Sequence, residues 1–365
     1  MTLKSKRLIS LDALRGLTIA FMILVNNPAS WDHVFGPLLH ADWHGITPTD
    51  FIFPFFLFIV GVSISLAYSK RLDRGASKKD IYKKVLFRGL KIFLLGIFLG
   101  MFPDFDFSDI RVAGVLQRIA IVFVLCTFIY INIEWKKQGY LAFGLLIGYW
   151  LAMTLIPTPG EGMVMLEPGK NLAAWIDQIL LPGMMWQGSW DPEGLFSTIP
   201  AISTGILGML AGRTLLSDLD GNEKANKLLV QGLVLVMLGM FWHLFFPINK
   251  NLWTSSFVLV TGGAGFSFLG ASYYWVDLKG HSKGTKPWIV FGSNAITAYV
   301  LADLLSLPFY GINIGGDTLS GHFMSIMIGL GMAANMASMF YAIIFVGINY
   351  IPVYWLYKKK IFIKL

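Results

Sequence analysis

Charged side chains are scarce in this sequence. Lysine, arginine, aspartate and glutamate make up 14% of the 365 residues, whereas soluble globular proteins carry roughly 25%. Hydrophobic residues make up 55%. This composition excludes an ordinary soluble enzyme and is typical of a protein that crosses the membrane many times.

Cysteine is almost absent, and so is any sign of a cleavable leader. Cys126 is the only cysteine, which excludes an intrachain disulfide and a thiolate metal site, and its apolar surroundings predict a small buried thiol. The basic residues Lys4, Lys6 and Arg7 precede the first apolar stretch, but no small-residue cleavage motif follows it. We therefore expect an uncleaved first span.

Long hydrophobic runs predict an all-α fold. A helix needs about 20 apolar residues to cross the hydrocarbon core, so the runs predict a polytopic transmembrane bundle of ten helices, in a single domain over residues 1–365. A half-helix or an eleventh crossing stays open at 322–333, and 158–194 is expected to be a long periplasmic loop. The predicted spans are 12–31, 47–69, 86–102, 112–133, 139–157, 195–216, 227–247, 253–276, 287–310 and 334–357.

Lysine and arginine divide unequally between the two sides of the predicted bundle. The termini and alternate loops hold 23 of them, whereas the loops on the far side, in the periplasm or a lumen, hold three. Because basic loops stay in the cytoplasm, both termini are predicted to be cytoplasmic. The net charge of +8 is therefore a topology signal, and we expect membrane lipid rather than nucleic acid as a partner. The three far-side exceptions are Arg111, Lys170 and Lys250.

A polar island, LLHADWHGITPTD, separates the first two predicted spans and lies on the far side. An imidazole titrates near pH 6.5 in its unperturbed state, so a histidine here suits acid–base chemistry such as acyl transfer. His40 follows Asn26 by 14 residues, and the Asn26 amide could donate to a developing oxyanion. The alternative is that His40 lies in the polar interface and Asn26 ends its helix.

The same island holds several groups that could ligate a metal: His33, His40, Asp42, His44 and Asp50. Their spacing matches no zinc motif, so we predict no metal site. Asp50 opens the second span, where a carboxylate favours a helix N-terminus, so capping and function both stay open.

Basic residues within or near the spans are candidates for binding an anionic cofactor. Arg118 lies inside a predicted span, where a cation needs a partner or an anion. On the cytoplasmic side, Arg15 could instead pair with Asp12, and the basic loop before the third span could serve topology alone. The candidate phosphate-binding residues are Arg15, Lys83, Lys84 and Arg88 and, as a far-side second choice, Arg111 and Arg118.

Two further far-side stretches, WDPEG and PINKNLWTSS, combine carboxylates, amides and an indole, which suit sugar recognition. The alternatives are a turn for the first and an interfacial anchor for the second. The candidate sugar-binding residues are Asp42, Trp43, Asp50, Asp191, Glu193, Asn249, Lys250, Asn251 and Trp253.

Several stretches, in order along the chain, resemble the heparan-α-glucosaminide N-acetyltransferase family. The resemblance runs from residue 7 to the C-terminus. The matching stretches are RLISLDALRGLTI, the LVN of the first span, HADWHGITPTDFIFPFFLFIVG, RVAGVLQRIA, WDPEGLFSTIPAI, PINKNLWTSSFVL, FGSNAITAYV and KKKIFIKL.

The resemblance implies a transmembrane acetyltransferase that takes acetyl from cytoplasmic acetyl-CoA and places it on the amine of a glucosamine or glucosamine-terminated saccharide across the membrane. It places the family's active histidine on His40 and its span-one asparagine on Asn26. The chain shows no counterpart of the animal members' N-terminal lumenal domain and extra first helix, so a multi-pass protein of the bacterial inner membrane is expected. A homodimer is a further expectation.

Two other functions fit the same residues. An amino-sugar transporter without chemistry would also use ten spans with polar groups such as Arg118 and Asp303 buried among them. A membrane O-acetyltransferase would place acetyl on a hydroxyl of a periplasmic glycan.

Overall fold

The structure, a computed structural model, describes residues 8–363. Lys4, Lys6, Arg7 and Lys364, which contribute to the predicted basic termini, lie outside the described residues. Within them the chain forms thirteen α-helices and no strand, which confirms the all-α prediction. The helices are α1 (Ile9–Asn26), α2 (Ile52–Asp73), α3 (Lys78–Met101), α4 (Val115–Asn132), α5 (Trp135–Leu155), α6 (Leu172–Leu180), α7 (Thr198–Leu216), α8 (Gly221–His243), α9 (Ser255–Ser272), α10 (Lys286–Ser293), α11 (Ala295–Ser306), α12 (Leu319–Gly329) and α13 (Ala334–Lys358).

Eight of these stretches of helix, among the residues described, are long and apolar enough to cross a membrane. They are α1, α2 with the turn before it, α4, α5, α7, α8, α9 with the turn after it, and α13. A polytopic membrane protein is thus confirmed. The crossing predicted at 86–102 falls on α3, which begins earlier and carries Arg88 and Lys91 within that range. The count of ten and the cytoplasmic placement of both termini stay predictions.

The ninth span predicted from the sequence, 287–310, is broken in the structure. Helices α10 and α11 meet at an angle of 84°, with Asn294 at the break. The Asn294 side chain donates to the Ile361 carbonyl at 3.1 Å and accepts from the Ile363 N–H at 2.9 Å. Its amide thus satisfies backbone groups of the C-terminal segment at the point where the helix stops.

Contacts divide the described residues into two compact units. One contains 8–40, 47–52 and 272–363, and the other contains 41–46 and 53–271. The chain thus passes from the first unit to the second directly after His40. The single domain expected over 1–365 stays a prediction.

In the first unit, α1 packs closely on α10 through glycine. A Cβ built on Gly16 would lie 1.6 Å from the Trp288 carbonyl oxygen, so only glycine permits this backbone approach. The N-terminus of α1 receives its cap from a distant carboxylate, because Asp277 accepts from the backbone N–H groups of Ile9 and Ser10 at 3.0 and 3.1 Å. These contacts fix the N-terminal half of α1 within the first unit.

In the second unit, α7 is a largely buried span that contacts α4, α5 and α8, and its glycines pack against α2. A Cβ on Gly61 would lie 2.0 Å from the Gly205 carbonyl oxygen, and one on Gly208 would lie 2.0 Å from the Phe58 carbonyl oxygen. Small residues let these helices approach closely enough for their backbones to pack, as is usual inside membranes.

The loop predicted at 158–194 contains a short helix, α6. Asn171 caps it by accepting from the Ala174 N–H at 2.9 Å. Leu172 and Ala173 are buried in a cluster with Tyr149 of α5. The loop is therefore packed onto the helical core of the second unit.

Candidate functional site

His40 contacts a buried carboxylate in the first unit. Its Nδ1 lies 2.7 Å from Oδ1 of Asp50, and the side chains are 48% and 1% exposed respectively. His40 follows a short helical turn, Gly36–Leu38, whereas Asp50 lies in the turn Pro48–Phe51 that leads into α2. The structure thus brings together two residues that lie ten positions apart.

The other oxygen of Asp50 is held by the chain around it. Oδ2 accepts from the Thr47 N–H at 2.9 Å and from the Thr47 hydroxyl at 3.1 Å. These bonds form a capping arrangement, so capping and contact with His40 coexist at one carboxylate. A carboxylate accepts hydrogen bonds, so Asp50 favours the tautomer of His40 with its proton on Nδ1, and Nε2 is left as the base.

Asn26 is the last residue of α1 and is exposed. Its neighbour Asn27 is buried and donates to the Ile23 carbonyl at 2.7 Å, while the Asn27 carbonyl accepts from the Tyr310 hydroxyl at 2.9 Å. The amide of Asn27 is therefore used within the helix, and Asn26 has the more accessible amide of the two. Its role in catalysis stays a prediction.

Arg15, predicted to bind phosphate, contacts groups of its own unit. Its Nη1 lies 3.0 Å from Asp12 Oδ1 and 3.3 Å from the Gly292 carbonyl oxygen. The local pair that the sequence offers as an alternative is present. Arg15 belongs to the first unit, and the other three candidates predicted to lie on the cytoplasmic side belong to the second. Among those, Lys83 and Lys84 are exposed on α3, and Arg88 lies over the ring of Phe123 at 5.0 Å.

Arg111 forms an ion-paired cluster with the carboxylates of the WDPEG loop. Its Nε and Nη2 each donate to Asp191 at 2.7 Å, and Nη2 also lies 2.7 Å from Glu193 Oε2. Its guanidinium stacks over Trp186 at 5.0 Å. The fork-shaped pairing raises the pKa of Arg111 against the opposing effect of burial, and the same guanidinium holds the pKa of Asp191 below its usual range. Residues predicted to bind a phosphate and a sugar thus bind each other.

Arg118 is fully buried, with 1% of its surface exposed. Its Nη2 donates to the Gly194 carbonyl at 2.9 Å and to the Ser197 hydroxyl. Its Nε and Nη1 make no hydrogen bond among the residues described here. The guanidinium also lies over the ring of Trp253, 5.1 Å from its centroid, so cation–π attraction replaces part of its lost hydration.

Trp253, predicted to contact sugar, is instead 1% exposed. Its φ of 52° lies in the left-handed region, which a bulky residue rarely adopts. Its indole N–H donates to the Thr204 hydroxyl at 3.1 Å, and its ring packs edge-on to Phe53 and Phe257. Trp253 is therefore a core residue beneath Arg118, and the surrounding packing has to stabilise its strained backbone.

The middle of the polar island, Ala41–Ile46, belongs to the second unit and is held there by hydrogen bonds and ring contacts. The Trp43 indole N–H donates to the Leu166 carbonyl at 2.9 Å, and its ring meets that of Trp190 edge-on at 5.1 Å. The Gly45 N–H donates to the Ile248 carbonyl at 2.8 Å. Asp42, predicted to bind sugar, is exposed. This short segment therefore has fixed backbone and aromatic anchors.

The PINKNLWTSS turn uses its first asparagine internally. Asn249 is fully buried, and its Oδ1 accepts from the Leu252 N–H at 2.8 Å. Its Nδ2 lies 3.3 Å from His44 Nδ1. Lys250 and Asn251 are half-buried. Asn249 thus positions a histidine, while contact of this turn with sugar stays a prediction.

Asp177, in α6, is a polar residue that the sequence analysis missed. It is buried, and its Oδ1 accepts from the backbone N–H groups of Leu195 and Phe196 at 2.8 and 3.2 Å. Burial raises its pKa to about 6, although these hydrogen bonds act in the opposite direction. The signal available in the sequence was a lone charged residue in a mostly apolar nine-residue helix.

The fold and the site together define a polytopic α-helical membrane protein that carries a histidine–aspartate pair in the loop before α2. The chain belongs to the family described as heparan-alpha-glucosaminide N-acetyltransferase, catalytic, whose sequence model matches residues 7–240.

Two curated relatives carry the name heparan-alpha-glucosaminide N-acetyltransferase. The mouse protein is 29% identical over 362 aligned positions, which cover 84% of this chain and 54% of the relative. The human protein is 29% identical over 354 positions, which cover 80% of this chain and 52% of the relative. The chain thus spans about half the length of the curated relatives it matches.

Proposed function

We propose that this protein is a transmembrane acetyltransferase that uses cytoplasmic acetyl-CoA to acetylate the amine of a glucosamine-type sugar on the far side of the membrane. The observation that carries the proposal is the pairing of exposed His40 with buried Asp50 in a chain of this family. In such a pair the carboxylate fixes the tautomer of the base and stays ionised while the imidazole takes up and releases a proton.

In the proposed reaction, the sugar amine attacks the carbonyl carbon of the acetyl thioester. Nε2 of His40 takes one proton from the nitrogen as the C–N bond forms. The tetrahedral intermediate then collapses, the C–S bond breaks, and the same proton passes from Nε2 to the departing sulfur. The products are an acetylated amine and free coenzyme A thiol, and Asp50 holds the imidazole in place throughout.

Asn26 is the proposed donor to the oxyanion of that intermediate. Its exposure at the end of α1 supports this role, because the amide has to reach a ligand. An oxyanion donor typically contributes about 10²–10³-fold in rate.

The donor is proposed to enter from the side of the basic loops, where acetyl-CoA is made. The exposure of Lys83 and Lys84 supports these residues as phosphate contacts, with Arg88 next to them on α3. Arg111 is the weaker candidate, because a phosphate would have to displace two carboxylates from it.

The experiment that tests the proposal uses the purified protein, radiolabelled acetyl-CoA and a panel of amino sugars and O-acetylatable glycans, with products identified by mass. We expect N-acetylated glucosamine from the wild type and a loss of about 10²–10⁴-fold in rate for His40→Ala. His33→Ala, in the same exposed loop, is the matched control.

Three outcomes would contradict the proposal. Acetylation of hydroxyl groups alone would indicate an O-acetyltransferase. Uptake of glucosamine into vesicles without any acetylated product would indicate a transporter. A rate for His40→Ala within about threefold of the wild type would remove His40 from the mechanism, since a positioned base contributes far more than that.

A further inference from the structure

His44 lies four residues beyond His40, and its hydrogen bonding determines which of its nitrogens carries a proton. The partner of its Nδ1 is the side-chain amide of Asn249, whose Nδ2 lies 3.3 Å away. An amide nitrogen can only donate, whereas an amide oxygen can only accept. The orientation of the Asn249 amide therefore decides the tautomer of His44.

The orientation of that amide is fixed by a second hydrogen bond. The backbone N–H of Leu252 lies 2.8 Å from Asn249 Oδ1. If the amide were rotated by half a turn, its NH₂ group would face this N–H, and two donors would meet in a fully buried position. The oxygen of Asn249 must therefore face Leu252, and its nitrogen must face His44.

It follows that Nδ1 of His44 accepts a hydrogen bond, and that the ring carries its proton on Nε2. A second proton on Nδ1 would break the bond to Asn249. Partial burial lowers the pKa of His44, as does the nearby His243, while Glu167 acts in the opposite direction. The hydrogen bond from Asn249 and the lowered pKa of His44 both favour the neutral ring.

The remaining atoms of the His44 ring lie in an aromatic setting. The ring is partly exposed, and its centroid lies 6.2 Å from that of Trp43. Trp43 in turn packs edge-on against Trp190. Indole surfaces beside a fixed polar donor suit an amphipathic ring such as a pyranose.

We propose that His44 is a specificity-determining residue that donates a hydrogen bond from Nε2 to a hydroxyl or ring oxygen of the acceptor sugar, while Asn249 acts through it as a positioning residue. This inference rests on the proposed function for the identity of the sugar. Three residues separate His44 from His40 along the chain.

The first test measures the tautomer in the full-length protein in nanodiscs, with ¹⁵N-labelled histidine, and assigns the His44 signals by comparison with His44→Gln. At pH 7 we expect a neutral ring protonated at Nε2. Addition of glucosamine, without acetyl-CoA, should shift the Nε2 signal. A ring protonated at Nδ1, or an Nε2 signal that glucosamine leaves unchanged up to saturating concentration, would overturn the proposal.

The second test compares two variants in the acetylation assay. His44→Phe keeps a flat ring but lacks the donor, and loss of one neutral hydrogen bond should raise KM for the sugar about 3–10-fold with kcat little changed. His44→Gln keeps a donor and should recover most of the loss. A purely structural role predicts instead that kcat and thermal stability fall together in both variants.

These tests separate the inference from the proposed function. If no acetylated product forms from any sugar, the proposed reaction fails, yet the tautomer and the glucosamine-dependent shift still decide the role of His44. If glucosamine is acetylated with the same KM by the wild type and His44→Phe, the inference fails alone.

Discussion

In the pair formed by His40 and Asp50, the buried carboxylate is held at both oxygens. The Thr47 N–H donates to one oxygen, and the imidazole contacts the other. Because the surrounding backbone fixes Asp50, the imidazole ring is oriented with little freedom, although about half of its surface is exposed. A rotation of this ring would cost the bond to Asp50.

Asp50→Asn is expected to reduce the acetylation rate about 10²–10⁴-fold without preventing folding. The Asn amide can turn its NH₂ group toward Nδ1, which favours the tautomer with the proton on Nε2 and removes the base. The rate of product formation and the melting temperature check this. Asp32→Asn, an exposed change in the same loop, is the control, and equal rates for the two variants would contradict the role given to Asp50.

Substitution of Arg111 is expected to have a different result, a loss of folding stability. Arg111→Met leaves the buried carboxylate of Asp191 and the largely buried carboxylate of Glu193 without their cation. Breaking a buried pair from one side typically costs about 3–5 kcal/mol. Thermal unfolding in detergent measures this, with the exposed Arg74→Gln as the control.

Removal of the two carboxylate charges in addition to Arg111 should restore much of the lost stability. Adding Asp191→Asn and Glu193→Gln to Arg111→Met removes the unpaired carboxylates, so the triple variant should unfold at a higher temperature than the single one. A triple variant less stable than the single variant would show that the cluster stabilises the loop by shape rather than by charge.

At the scale of elements, α6 and the start of α7 are joined through Asp177. The backbone N–H groups of Leu195 and Phe196 precede α7, and Asp177 accepts from both. Gly194 allows this contact, since a Cβ there would lie 1.7 Å from the Asp177 carboxylate. The loop between α5 and α7 is thereby fixed to the helix that follows it.

Asp177 also predicts a pH dependence of stability. Its pKa rises from 3.8 in the unfolded chain to about 6 in the folded protein, so between these values the folded state binds more protons. The free energy of unfolding should therefore fall as pH rises from about 4 to about 6, by up to about 3 kcal/mol from this residue. Above that range the contribution stays constant.

Melting temperatures of the wild type and Asp177→Asn, measured between pH 4 and pH 7, check this prediction. The difference between the two proteins isolates Asp177 from opposing groups such as His44, whose lowered pKa favours stability at higher pH. Asp218→Asn, at an exposed position, is the control. A pH profile unchanged by Asp177→Asn would contradict the prediction.

The contact between α1 and α10 depends on glycine at the crossing point. Gly16→Ala places a methyl group where the Trp288 carbonyl lies, so the helices must separate, at a cost of about 1–3 kcal/mol. Gly148→Ala on α5, where nothing lies within 4 Å of the added atom, is the matched control. Similar melting temperatures for the two variants would mean that the first unit tolerates a wider spacing.

At the scale of the whole molecule, the split of basic residues makes a prediction about sidedness. Single cysteines at His33 and at Lys78, both exposed, should react with an impermeant reagent from opposite sides of the membrane, with His33 on the far side. The background is Cys126→Ala, which removes a buried thiol. Labelling of Lys78 from the far side would reverse the proposed direction of acetyl transfer.

The sequence alone determined the class of fold and the chemical character of the polar island. Hydrophobic run length is a local property, because the bilayer imposes it on each segment separately. Eight of the ten predicted spans therefore correspond to helices of sufficient length and apolarity among the described residues. His40 could be identified from the sequence for the same reason, because a polar segment between two apolar runs is visible without any knowledge of tertiary contacts.

Only the tertiary structure decided how those residues pair. Arg111 and Asp191 lie 80 positions apart, and His44 and Asn249 lie 205 apart, so no local pattern links them. The break between α10 and α11 is likewise accompanied by contact of Asn294 with the C-terminal segment. Hydropathy is a local property that indicates whether a segment favours lipid or water. The partner of a buried polar group instead depends on which distant segment the tertiary packing places beside it.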